Sequence, residues 1–236
     1  MAVHEGLVLF IGELRRSARN LGLFLALLTI GIFFLSPRLL SLVQQHLADK
    51  LYFFSVAGPF LAHVKLSFFC AFYLVVPWFM SVLWRAVGKP FRVDGRQLFL
   101  FIFCTCLLFY LGTVFCYFVT LPFGIDFLLG FGSEALKPVI SIGRFVNFVT
   151  IFVLAFGIVF ELPVFMIFSV KVGVLDRAFF IRNRRYALLF ISILSALLTP
   201  TPDIVNMLLM GAPLYLLYEF GIVLLKVLGL TASKRV

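Results

Sequence analysis

Glu161 places a carboxyl group inside a long apolar stretch, Phe145–Val170, interrupted otherwise only by Asn147. At mid-bilayer an acidic residue costs about 2.5–3.5 kcal/mol on insertion scales. Such a group faces a polar cavity or a partner, or it is protonated and hydrogen-bonded within a bundle. Pro163 follows two residues later and has no N–H for the carbonyl of Val159, so a helix here should kink. Glu13, in Gly12-Glu13-Leu14-Arg15-Arg16, stands at the amphipathic start of an apolar run. It could accept paired hydrogen bonds from a guanidinium, or neutralise Arg16 one turn on. Asp94 is the single acid beside Arg85, Lys89, Arg92 and Arg96, and Asp94-Gly95 also favours a turn. Glu219 could snorkel to the membrane surface or pair with a loop arginine. Asp203, after Thr199-Pro200-Thr201-Pro202, could cap the helix that follows.

Other chemistries find no support. His4, His46 and His63 are far apart, without an H-x-x-H pattern, and there is no phosphate loop or nucleophile elbow. Cys70, Cys104, Cys106 and Cys116 all lie in apolar runs and read as small apolar fillers. The sequence therefore predicts no enzyme, no metal and no cofactor.

The elements that position these residues follow from composition. Hydrophobic residues make up 63% of the 236 and charged ones 13%, where a soluble domain carries roughly 25% charged. Only a bilayer can hide that much apolar surface. Six runs can be marked: Leu21–Leu35, Leu66–Trp84, Leu98–Leu121, Phe145–Val170, Tyr186–Leu198 and Ile204–Leu225. The fifth is short of the ~20 residues a spanning helix needs, and the Thr199–Asp203 turn makes it one arm of a hairpin. The first run is followed by Ser36-Pro37-Arg38 and not by a small-x-small cleavage site, so it reads as a retained helix. Pro77 and Pro213 mark kinks. The segments 37–64 and 122–143 are long and partly apolar, and should fold as short helices at the membrane surface. The expectation is an all-α, polytopic protein, one six-helix integral membrane domain over residues 1–236.

Of the 20 basic residues, Arg38, Lys50, Lys65, Lys137 and Arg144 fall on one side and the other 15 on the opposite side. That bias places both termini in the cytoplasm. The bases are scattered through short loops as topology signals, and not in one stripe with interleaved aromatics, so nucleic acid is not expected as a partner.

These residues together resemble the TatC family, from about Glu13 to about Lys226. Glu13-Leu14-Arg15 is similar to the core of the family's amino-terminal signature. Phe109-Tyr110-Leu111-Gly112 with Phe115 and Tyr117-Phe118 resembles its third helix. Phe156-Gly157 with Phe160-Glu161-Leu162-Pro163 resembles its fourth. Leu197–Asp203 resembles the turn of the last hairpin, and Pro213-Leu214-Tyr215 with Tyr218-Glu219-Phe220-Gly221 resembles the sixth helix. Phe10 replaces the signature's histidine, Ser17 its last arginine, and a loop proline is replaced near His46.

The resemblance implies a concave bundle with short fifth and sixth helices in the bacterial cytoplasmic membrane. It implies a receptor that binds twin-arginine signal peptides of folded cargo at the cytoplasmic face, through Glu13, Arg15 and, where the family has Glu, Asp94. Glu161, Thr199 and Asp203 would offer intramembrane polar contacts to partners. Those partners would be the single-span subunits TatA and TatB, further TatC copies and the bilayer, with transport driven by the proton-motive force. The alternative is a proton-coupled carrier of a small solute. Such carriers usually show two related halves, and no internal symmetry is visible.

Overall fold

The computed structural model describes residues 19–44, 51–52, 55–88, 93–130, 140–198 and 204–229. Nearly all of it is helix. In chain order the elements are α1 (Arg19–Phe33), α2 (Ser36–Gln44), β1 (Leu51–Tyr52), α3 (Gly58–Gly88) and α4 (Gly95–Phe115). A π-turn (Cys116–Thr120), α5 (Leu121–Leu129) and β2 (Ile140–Ser141) follow. The chain continues through α6 (Ile142–Val159), α7 (Leu162–Lys171), α8 (Arg177–Arg182), α9 (Arg184–Leu198) and α10 (Ile204–Val227).

Among the described residues, length and composition qualify four helical stretches to cross a membrane: Gly58–Gly88, Gly95–Ile125, Ile142–Lys171 and Met210–Val227. A fifth is added if α1 and α2, bent by 74°, count as one span. At 1.5 Å per residue, α3 with its 31 residues is about 46 Å long, more than a ~30 Å hydrocarbon core needs. In the most apolar 18-residue stretch of each span, no more than 44% is buried. Large apolar side chains such as Leu27, Phe34, Phe99 and Phe118 stand exposed around them, as a lipid-facing surface requires. By contrast α9 has 15 residues, about 22 Å, as its short apolar run predicts. At 24 residues α10 is longer than the resemblance implies.

The chain packs as two units. In the first (described parts of 1–106 and 139–150), α2 lies on α3. Leu39, Leu40 and Val43 cover the buried Ala62, Leu66 and Val146. The turn into α2 is closed by Ser36, whose buried hydroxyl donates to the Phe33 carbonyl at 2.6 Å. Phe24 meets Trp78 edge-on, as Phe33 meets Phe60, so aromatic edges hold α1 to α3. Two features depart from expectation. α3 starts at Gly58, eight residues before its apolar run, because Pro59 in its first turn is preorganised for helix and has no N–H to satisfy. A parallel two-residue bridge, Leu51 with Ile140 and Tyr52 with Ser141, interrupts an otherwise all-α design.

In the second unit (described parts of 107–138 and 151–236), small residues allow helix backbones to meet. A Cβ on Gly112 would lie 2.6 Å from Phe160 Cγ and 2.9 Å from the Phe156 carbonyl oxygen. A Cβ on Gly157 would lie 2.7 Å from the Phe109 ring. Phe109 and Phe156 are accordingly buried. Met210, Leu214, Tyr218 and Ile222 recur every four residues as the buried stripe of α10, which packs against α7, α8 and α9. Pro77 and Pro213 are carried inside unbroken helices. Before Pro122 the ladder slips instead: the Leu121 N–H bonds the Cys116 carbonyl, five residues back.

Candidate functional site

Glu161 lies where two helical segments join. The α6 ladder runs out as Phe160 N–H donates to the Phe156 carbonyl at 3.0 Å and Glu161 N–H to that of Ile158 at 3.1 Å. Val159 has no N–H partner four residues ahead, because that position is Pro163. Helix resumes at Leu162, and the Glu161 carbonyl accepts from Phe165 at 3.0 Å. The predicted kink is therefore a two-residue interruption, Phe160–Glu161, inside one spanning stretch. The Glu161 side chain is half-buried, with Oε1 shielded from solvent. Pro163 and Val164 beside it are buried. The next turn meets α10 closely: a Cβ on Gly221 would lie 2.6 Å from Met166 Sδ and 3.4 Å from Pro163 Cα.

A second polar group joins α8, α9 and α10. Arg184 Nη2 donates to Glu219 Oε2 at 2.9 Å. The Tyr215 hydroxyl donates to Glu219 Oε1 at 3.0 Å, one turn earlier on α10. The Tyr218 hydroxyl donates to the buried Phe180 carbonyl at 2.7 Å. Of the two roles expected for Glu219, pairing with a loop arginine is the one adopted. Arg184 is 46% exposed, so solvent weakens the ion pair, and its contribution is chiefly to fix the start of α9. The sequence reading missed Tyr215 and Arg184. The signal available was a tyrosine four residues before an acid on one helix. Beside this cluster, α9 and α10 line an open apolar groove of about 350 Å³, bordered by Leu188, Ile191, Met207, Gly211 and Tyr215 among others.

Asp94 belongs to the first unit. It stands immediately before α4, and its carbonyl accepts the Leu98 N–H at 2.9 Å, the bond of an N-cap residue. Its side chain is exposed and so within reach of a ligand. The turn that carries it is tight: Val93 N–H donates to the Gly88 carbonyl at 3.2 Å. Trp84 stacks on Phe101 with centroids 5.0 Å apart and donates to Thr105 Oγ1 at 2.9 Å, locking α3 to α4. Glu13, Arg15, Thr199 and Asp203 lie outside the described residues. Among the described residues the cysteines are free thiols, and no three metal-ligating side chains converge.

The family model for the Sec-independent protein translocase protein TatC matches residues 10–213. The chain belongs to the TatC family. Relatives named Sec-independent protein translocase protein TatC include that of Carboxydothermus hydrogenoformans, 36% identical over 178 residues, which are 75% of this chain and 73% of that one. The Koribacter versatilis protein is 32% identical over 79% of this chain and 69% of its own length. The Campylobacter jejuni protein is 38% identical over 69% and 67%. A crystal structure of the twin-arginine translocase receptor TatC in the detergent DDM is similar with a TM-score of 0.81 and 26% identity, over 91% of this chain and 98% of that one. A second TatC receptor structure gives 0.79 over 92% and 98%. The helices that qualify as spans therefore belong to a multi-pass membrane protein of the Sec-independent protein translocase family. Glu161 and Glu219 lie in the second unit of this chain and Asp94 in the first.

Proposed function

We propose that this protein is the signal-peptide receptor of a twin-arginine translocase, one six-span domain in the bacterial cytoplasmic membrane with both termini in the cytoplasm. The observation that carries the reading is membership of the TatC family, joined to likeness to structures of a twin-arginine translocase receptor. Two guanidinium groups cannot enter lipid unpaired. Glu13 and the exposed Asp94 would hold them at the interface through charge-assisted hydrogen bonds, with Arg15 shaping the first carboxylate's surroundings. Arginine is required in the peptide because its planar fork engages a carboxylate through two bonds, which lysine cannot do.

Glu161 would serve the second task, recruiting TatA and TatB. A carboxyl group at a helix interruption offers a polar contact to a partner helix where lipid offers none. Thr199 and Asp203 would add such contacts at the hairpin turn, and the proton-motive force would drive export. Family membership leaves the small-solute carrier reading without a supporting observation. The deciding experiment is binding of a labelled twin-arginine signal peptide to the purified protein. Binding should fall at least tenfold when both peptide arginines become lysines and when Glu13→Ala is introduced. Equal binding of the lysine peptide would refute the receptor assignment.

A further inference from the structure

Lys65 and Arg144 line one open pocket of about 400 Å³, part polar and part apolar, within the first unit, at the starts of α3 and α6. Ser55, Ser141 and Asn147 contribute the rest of its polar wall. Lys65 Nζ donates to Asn147 Oδ1 at 3.4 Å, a long contact that uses one of three ammonium donors. Both cations are exposed, and neither forms an ion pair among the described residues. The two belong to the side that carries only five of the 20 basic residues, so a general topology signal does not account for their convergence. The helix starts at Gly58 and Ile142 line the same pocket and add the positive ends of two backbone dipoles. The β1–β2 bridge ties together the segments that lead into these helices.

The pocket also borders the apolar surface. Lys65 directly precedes the Leu66–Trp84 run, and the neighbouring Phe60 and Leu61 are 59% and 51% exposed. Leu61 itself lines the pocket. A ligand with an anionic head and apolar chains satisfies both halves, while a free anion satisfies one. We propose that this pocket binds the phosphate of an anionic phospholipid headgroup, with the acyl chains beside Leu61 and Phe60. Arg144 presents a fork suited to two phosphate oxygens, and Lys65 supplies a second, point-like charge.

The test is titration of delipidated protein in detergent with phosphatidylglycerol, followed by native mass spectrometry. Each cation near a membrane surface contributes about 1 kcal/mol, about fivefold in affinity. K65Q/R144Q should therefore weaken phosphatidylglycerol binding about 25-fold. R38Q removes an exposed cation of the same side that does not line the pocket, and should leave the affinity unchanged. Inorganic phosphate at the same concentration should fail to displace the lipid. Unchanged lipid affinity in K65Q/R144Q overturns the proposal, and so does displacement by inorganic phosphate, which would mark a free-anion site. If the double variant is not recovered as a monodisperse peak, R144Q alone decides, with about fivefold expected and no change overturning the assignment.

Discussion

Gly112→Ala adds one methyl group at a close helix contact in the second unit. That Cβ would meet Phe160 Cγ at 2.6 Å, Phe160 Cβ at 2.8 Å and the Phe156 carbonyl oxygen at 2.9 Å. A rotamer change cannot relieve the last two, since a Cβ and a backbone oxygen move only with the helix that carries them. Overpacking a full site costs about 1–3 kcal/mol, and this geometry falls toward the upper end. Exchanging a helical glycine for alanine recovers up to about 1 kcal/mol of backbone entropy. The net expectation is a loss of about 2 kcal/mol, or a fall of about 4–8 °C in apparent Tm for a chain of this size. The assay is thermal stability by fluorescence-detected size exclusion in one detergent. Gly31→Ala supplies the comparison, because a Cβ there meets nothing within 4 Å, and it should melt at or slightly above wild type. If Gly112→Ala also melts at or above wild type, α4 and α6 do not meet backbone to side chain at Gly112, and the close packing there is refuted.

Glu161→Ala should reduce both export of a twin-arginine reporter and co-purification of the single-span partners severalfold, with Glu161→Gln retaining more of each. Normal export in Glu161→Ala would remove its proposed role. Tyr218→Phe deletes the bond to the Phe180 carbonyl and should cost about 1 kcal/mol, whereas a double-mutant cycle on Arg184 and Glu219 should return about 0.2–1 kcal/mol because the pair is solvated. A larger coupling there would mean the pair is drier than its exposure indicates. Asp94→Ala should weaken signal-peptide binding without lowering Tm by more than a lost cap, about 1 kcal/mol, and Asp94→Glu should preserve binding; peptide affinity that ignores both substitutions would leave Glu13 to act without it.

The sequence carried the length and polarity of single elements well. Runs of apolar residues foretold α3, α4, the α6–α7 stretch and α10, and the shortness of Tyr186–Leu198 foretold a 15-residue α9. Pro163 foretold an interruption, because a missing N–H is a local fact. What run lengths cannot express is pairing between distant segments. The β1–β2 bridge, the Arg184–Glu219 contact and the convergence of Lys65 with Arg144 each join residues from different elements. The early start of α3 escaped for another reason. His63 and Lys65 end the hydropathic run but do not end a helix, whose start is set by Gly58-Pro59 backbone chemistry. For the candidate site, Glu161, Asp94 and Glu219 stand out by residue type and surroundings, and the Tyr215–Glu219 spacing was legible, while Arg184 as the partner of Glu219 needed coordinates.

Several of the described charges stand where the helical backbone is itself incomplete. Glu161 stands at the α6–α7 interruption, Asp94 before the first turn of α4, Arg184 at the first residue of α9, and Arg144 in the first turn of α6. Interrupted ladders and helix starts leave backbone polar groups without intrahelical partners, so those positions already need water, side chains or ligands. Adding an ionisable side chain there costs less than placing one on an intact, lipid-facing turn. A chain built mainly of apolar spans can therefore carry charges at helix starts and gaps without breaking its lipid-facing surface; inside an intact helix a charge needs partners, as Glu219 in α10 has in Arg184 and Tyr215. Moving the acid one turn away from the gap, as in Glu161→Leu combined with Phe165→Glu, tests this directly. Phe165 is 58% exposed within intact α7, so the relocated carboxyl group should cost about 2.5–3.5 kcal/mol on the insertion scale and lower the yield of folded protein. Recovery equal to wild type would show that the gap confers no advantage.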